Sequence, residues 1–369
     1  MIITIDDNYV DYLKAPNFTC SADEVIYLMH LLLSRKRGFN FIVASRQTLQ
    51  LINNTFKLSN ELSAILNKIY SEQTLLGHVL KRMNVRINIV SPQGARGLIK
   101  HHGISSLNVT LHEFYERELD KQANFIAENI YDIDVYESFI KSYLKSKEIR
   151  GVNLHFKKII GGGSTSELVI AEQKKTQNGF NLCILDSDKL SPTSDFGDTY
   201  KKAYLAGRDA DNLILIPTKS RELENIIPLS TLDVFFKTKA NKIKVQKYKT
   251  LLPLNLHGES ILKYLDFKKG VRKLNCKPEA ASPKIAIEKQ MSQLICSKPC
   301  RNISQDGHGT DCSCIVLDGF GSDLLKNYTA HIKAHPLEFN DIDEHCKAEW
   351  EYICDNALPV LIAPLPIRA

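Results

Sequence analysis

Apolar positions divide the chain into alternating strand-like and helix-like stretches. In the first 120 residues, positions 1–5, 39–44, 85–90 and 107–111 are short apolar or β-branched runs that predict strands. Between them the apolar residues recur at helical spacing. Val25, Leu28, Leu31 and Leu32 share one face, and Ser21 followed by Asp23 and Glu24 predicts the start of that helix. Leu62, Ile65, Leu66 and Ile69 predict a second helix, and Leu75, Leu76, Val79 and Leu80 a third. Such alternation implies an α/β unit with a mainly parallel sheet.

From residue 121 the pattern is more regular. A strand over 124–127 precedes a helix over 133–144 with Val135, Phe139, Ile140 and Tyr143 on its apolar face. A strand over 152–160 closes on Gly161, Gly162 and Gly163, and a helix over 164–174 follows, capped by Ser164 or Thr165. Residues 180–185 are almost wholly apolar, as expected at the centre of a parallel sheet. A loop then leads to a last strand over 213–217. The expected layout is an N-terminal α/β region (1–120), a parallel-sheet α/β domain (121–235) and a smaller, basic, Cys-containing C-terminal region (236–369). In the last of these, residues 276–314 have little periodicity and predict an irregular loop or insert. A helical pattern around Trp350 ends in a Pro-rich tail.

Length and composition narrow the class. The chain has 369 residues, 43% of them hydrophobic, so it has ample material for more than one core and is not a disordered or low-complexity protein. The first residues lack a basic segment followed by an apolar one, and the longest apolar run, 25–33, is about half of what crosses a bilayer. With nine cysteines, an odd count, the expectation is a cytoplasmic protein with reduced thiols and no membrane association.

The net charge of +6 conceals an uneven distribution. Residues 237–277 carry 12 Lys or Arg against Glu259 and Asp266, so that segment contributes +10 and the remainder sums to −4. Lys237, Lys239, Lys242, Lys244, Lys247 and Lys249 lie within 13 positions that contain no acid, and Lys268, Lys269, Arg272 and Lys273 follow. Phe235, Phe236, Tyr248, Tyr264 and Phe267 are interleaved with them. Cations mixed with aromatics suit a surface that tracks phosphates and packs bases, so these ten cations are the expected nucleic-acid contacts.

Acids collect where the second domain's strands end. Glu128 and Asp132 follow the first strand, Asp186 and Asp188 the third, and Glu222 and Glu224 the last. In an open parallel sheet these ends share one edge, where ligands bind. Carboxylates brought together there repel one another and stay ionised when divalent cations neutralise them; hard oxygen donors select Mg²⁺ or Mn²⁺. The chemistry served by such a site is phosphoryl transfer. Acids after strands also serve as turn residues and caps, which is the structural alternative for each of them.

The ordered motifs resemble a divergent TOPRIM domain of the kind found in OLD-family and other anti-phage nucleases. They are Glu128 and Asp132 after a strand, Gly161-Gly162-Gly163-Ser164-Thr165 after the next, Asp186-Ser187-Asp188 after the third, and the turn Glu222 to Asn225. The resemblance covers roughly residues 120–235. It implies a metal-dependent nuclease of a bacterial defence system, with Glu128, Asp186 and Asp188 as Mg²⁺ or Mn²⁺ ligands, and Asp132 and Glu224 in support. It also implies a regulatory protein partner. Whether Glu222 or Glu224 faces the site is open. The family has Gly after its glutamate, and here that residue is Asn129; a catalytically inactive TOPRIM-like protein that binds nucleic acid or a partner is therefore the alternative.

Other residues suggest chemistry less strongly. Cys296, Cys300, Cys312 and Cys314, with Cys276 and His308, could form a Zn²⁺ knuckle, but neither pair has the usual two-residue gap, so free thiols are preferred. Gly161–Gly163 could cradle a phosphate or simply make a tight turn. Asp6 and Asp7 are expected to cap a helix rather than to bind metal. His101, His102 and His112 have no nucleophile context.

Overall fold

The computed structural model describes residues 1–73, 77, 83–272 and 315–367. The N-terminal region contains β1 (Ile2–Ile5), β2 (Phe41–Val43), β3 (Val85–Ile89), β4 (Gly97–His101) and β5 (Ile104–Val109). They form one sheet in the order β2-β1-β3-β5-β4, parallel except for the β4–β5 pair. The helices are α1 (Asp7–Lys14), α2 (Ala22–Lys36), α3 (Arg46–Thr55), α4 (Asn60–Glu72) and α5 (Leu111–Glu116). Ser21 begins α2 through a capping box with Glu24, and Asp6 caps α1 by accepting from the Asn8 N–H. The strand expected to run to 111 stops at Val109 because Thr110 caps α5, with Glu113 completing its box. The helix expected from Leu75 to Leu80 lies outside the described residues.

The second sheet is wholly parallel. It comprises β6 (Ala123–Ala127), β8 (Phe156–Ile160), β9 (Asn181–Leu185) and β10 (Leu213–Pro217) in the order β10-β9-β6-β8. Every residue of β9 is buried, in keeping with its interior place. Its helices are α6 (Ile130–Ser146), α7 (Ser166–Thr176) and α8 (Asp198–Gly207). The stretch before β10, expected to be a loop, contains α8, whose Tyr200 and Ala203 pack on Ile126, Cys183 and Leu185. The single strand expected over 152–160 is broken at His155. Its first part, β7 (Val152–Leu154), pairs antiparallel with β15 (Ile362–Pro364) from the far end of the chain.

That end is structurally central. Helix α12 (Glu344–Leu361) touches β3 of the first sheet and β6 and β9 of the second. Trp350, fully buried, stacks on Phe139 of α6 at 3.6 Å with the rings 2° from parallel, and its indole N–H donates to the Ile226 carbonyl at 2.6 Å. Cys346 and Cys354 pack in the same interface, and Cys183 packs within β9, so these thiols are core residues.

Between the second sheet and α12 lie α9 (Leu229–Phe235), α10 (Lys239–Lys249), the two-residue strands β11 (Asn255–Leu256) and β12 (Glu259–Ser260), the antiparallel pair β13 (Gly270–Arg272) and β14 (Ile315–Asp318), and α11 (Leu324–Ala334). The aromatic residues of this region turn inward, contrary to the expected base-packing surface. Tyr248 and Phe267 are fully buried with ring centroids 4.8 Å apart, Phe236 stacks on Phe320 at 5.3 Å, and Tyr264 is buried. They are core because α10 has an apolar face, Val245 and Tyr248, that needs covering. Among the described residues, no helix is long and apolar enough to cross a membrane.

Candidate active site

The carboxyl edge of the second sheet gathers the acids. The chain runs from β6 outward to β8, then returns to β9 on the other side of β6, so the connection reverses between β6 and β9. Such a reversal opens a crevice at the carboxyl ends of the two strands. Glu128 follows β6 and Asp186 follows β9, and the two strands are paired through Ile126 and Cys183. Beyond β10 the chain turns into Leu223–Ile226, which carries the fully buried Glu224, with the buried Glu222 at its start.

Asn129 explains the first turn. It sits at φ −141° and ψ 174°, extended backbone that needs no glycine, and its side-chain oxygen accepts from the N–H groups of Tyr131 and Asp132 to cap α6. Asp132 completes the box, its Oδ2 accepting from the Asn129 N–H at 3.0 Å, while Oδ1 is buried without a partner. The neighbouring glycine turn is a tight turn. The N–H of Gly161 donates to the Ala127 carbonyl and that of Gly162 to the Glu128 carbonyl, so neither is free for a phosphate. Gly162 adopts φ +76°, where a side chain would also strike Thr165.

The Asp186-Ser187-Asp188 loop is held at each residue. Asp186 Oδ1 accepts from the Leu223 N–H at 2.9 Å. Ser187, fully buried, donates its N–H to Thr218 Oγ1 at 2.9 Å and its hydroxyl to the Ser220 carbonyl at 2.5 Å. Asp188 has left-handed backbone at φ +52° and donates its N–H to the Arg221 carbonyl. Gly197 backs directly onto it: a Cβ there would lie 2.3 Å from that of Asp188. A non-glycine residue held left-handed by its surroundings is the kind of strain found at functional sites.

Electrostatics tie these acids together. Burial raises Asp132 to about 7, with Glu224 and Glu128 adding to the rise. Burial, then Glu224 and Glu128, push Asp186 well above the carboxylate range. Burial and Asp188 raise Glu128. Glu222 and Glu224 are raised by burial against the pull of Lys268. Asp188 is raised by burial despite Arg221 and Lys268. Glu222 and Glu224 are thus both electrostatic neighbours of Asp186.

Lys268, expected among the nucleic-acid contacts, stands beside the acids: its Nζ lies 3.0 Å from Glu224 Oε1 and 3.7 Å from Glu222 Oε2. Although burial works against its charge, Glu224 and Glu222 hold its ammonium above the usual lysine range.

The donor set suits a hard divalent cation: Glu222 Oε2, Glu224 Oε2 and Asp132 Oδ1 are buried and make no hydrogen bond, while Glu224 Oε1 meets Lys268. Among the described residues, however, no three His, Cys, Asp or Glu side chains stand as a ready-made metal group. Lys268 and Arg221 are the cations beside these carboxylates.

The remaining basic residues separate into groups. Lys239, Lys242 and Lys247, with Lys237 just before the helix, lie on one exposed face of α10 alongside Ile243, Gln246 and Thr250. Lys244 instead donates to the Gly319 carbonyl and Lys249 pairs with Asp233 at 2.7 Å. Lys269 is exposed; the Arg272 side chain and Lys273 lie outside the described residues, as do Cys276, Cys296, Cys300, His308, Cys312 and Cys314. His101, His102 and His112 are exposed on the first region, away from the acids' sheet. Comparison of the chain with family models, with curated proteins and with solved structures finds no match.

Proposed function

We propose that this chain is a metal-dependent phosphodiesterase of TOPRIM type that cleaves DNA or RNA. The observation that carries the reading is the set of raised carboxylates at one sheet edge, Asp132, Glu222 and Glu224 buried and Glu128, Asp186 and Asp188 half-buried. Accumulated carboxylate charge is costly to keep without cations, and a fold that gathers it uses it. Glu128, Asp186 and Asp188 would hold Mg²⁺ or Mn²⁺, with Asp132 and Glu224 behind them. A bound ion supplies polarisation of the phosphate and a more acidic water.

The chain's own groups do the rest. Glu128, raised by burial and by Asp188, is a stronger base than an ordinary carboxylate and would accept the proton of an attacking water. Asp186 is fixed by the Leu223 N–H through one oxygen. Lys237, Lys239, Lys242 and Lys247 line one helix face over which a polynucleotide backbone would lie. The role in bacterial defence and the regulatory protein partner belong to the same TOPRIM reading.

A second reading, a chain that binds nucleic acid or a partner without cutting, draws on Lys268 standing as cation among the acids. The test is direct. Purified protein with Mg²⁺ or Mn²⁺ should cut DNA or RNA, and Asp186→Ala with Asp188→Ala should not. Equal cutting by both proteins overturns the proposal; nucleic-acid binding without calorimetric metal uptake favours the second reading.

A further inference from the structure

We infer that Glu349, a residue of the last helix, is a positioning residue for the Asp186–Asp188 loop; the inference rests on the metal-site reading above. Glu349 is 1% exposed and belongs to α12, far in sequence from every acid of the edge. Its Oε1 accepts from the backbone N–H groups of Lys219 and Ser220 at 2.6 and 2.8 Å, and its Oε2 accepts the Ser220 hydroxyl. A carboxylate receiving three donors in a dry interior fixes the segment that supplies them.

That segment in turn holds the acidic loop. The Ser220 carbonyl accepts the hydroxyls of Ser187 and Thr218, at 2.5 and 2.7 Å. Thr218 Oγ1 takes the Ser187 N–H, and the Arg221 carbonyl takes the Asp188 N–H at 2.8 Å. The path Glu349, Ser220, Ser187 therefore consists of hydrogen bonds between buried groups and ends between the two aspartates. It also accounts for a fully buried serine at the middle of an Asp-Ser-Asp loop. Outer partners that orient ligands in this way typically change metal affinity by about 10–100-fold when removed.

The test compares wild type with Glu349→Gln and Ser220→Ala in the full chain, by amide hydrogen exchange and by Mn²⁺ titration. Glutamine preserves size but offers one acceptor oxygen where the site uses two. The expected result is at least tenfold faster exchange at the Ser187 and Asp188 amides, exchange within β6 unchanged, and Mn²⁺ binding at least tenfold weaker. Ser220→Ala, which removes the hydroxyl alone, should give the same pattern at smaller size and serves if Glu349→Gln does not fold. Trp350→Phe, one residue along the helix, should lower overall stability without singling out that loop. Unchanged exchange at Ser187 and Asp188 in a folded variant overturns the inference. Absence of Mn²⁺ binding by wild type overturns the metal reading, while the exchange result still decides whether Glu349 holds the loop.

Discussion

Lys268 Nζ lies 3.0 Å from Glu224 Oε1, so a fully buried glutamate has its counter-charge on a lysine that is itself 36% exposed. The pair links the basic segment directly to the acidic edge. Lys268→Met should leave Glu224 without its cation and destabilise the metal-free protein by about 2–3 kcal/mol, less than a fully buried pair would because solvent reaches the lysine. Added Mn²⁺ should restore most of the loss. Urea unfolding with chelator and with Mn²⁺ measures both.

Asp186→Asn should act in the opposite direction. Asp186 is raised by burial and by Glu224 and Glu128, and an amide oxygen can still accept from the Leu223 N–H. The metal-free protein should gain about 1–2 kcal/mol by losing that repulsion, and metal uptake and cleavage should fall together. Denaturant midpoints and calorimetry on the same preparation would show the exchange of stability for function.

The pH dependence has a defined sign. Asp132 rises from an ordinary 3.8 to about 7 on folding, so between those values the folded state holds a proton that the unfolded chain has released. Stability from this group is complete below about pH 4 and is lost as pH rises toward 7. In chelator, the melting temperature should therefore fall from pH 5 to pH 8, and Asp132→Asn should flatten part of the slope. A wild-type melting temperature that rises over this interval would contradict the assignment.

The basic face of α10 predicts a salt signature. Lys239, Lys242 and Lys247 replaced together by Ala should lower the slope of log affinity against log salt by about 0.9 per lost phosphate contact on duplex DNA. Lys244→Ala, which removes a cation already donating to Gly319, should change the slope little. Fluorescence anisotropy across a salt series separates the two cases.

Local pattern carried much of this architecture. The strands of the second sheet, the cap at Ser21 and the interior place of 180–185 follow from apolar spacing and short-range capping, which neighbouring residues alone determine. Helix α8 hides in the sequence as a loop because its apolar residues are few and its outer positions include exposed Tyr204 and Leu205. The stretch 152–160 has the pattern of a single strand because the partner that divides it, β15, lies about two hundred residues away. Lys268 and the inward aromatics show the same limit. A cation beside other cations looks like surface until the fold shows which acids it meets. Asn129 is the converse case, where a departure from a family pattern proves to be a good helix cap in extended backbone.

Helix α12 has a consequence for how this protein can be divided. Its Trp350 covers Phe139, its Glu349 ties down Ser220, and β15 beyond it borders β7. The stretch that looks self-contained on paper, 121–235, is thus completed by the opposite end of the chain. Excised alone it would bare Tyr136, Phe139 and Ile226 to water and should aggregate. Supplied in trans as a peptide, the final helix is the piece most suited to restore it, so the acidic edge is inherited as a whole chain or not at all.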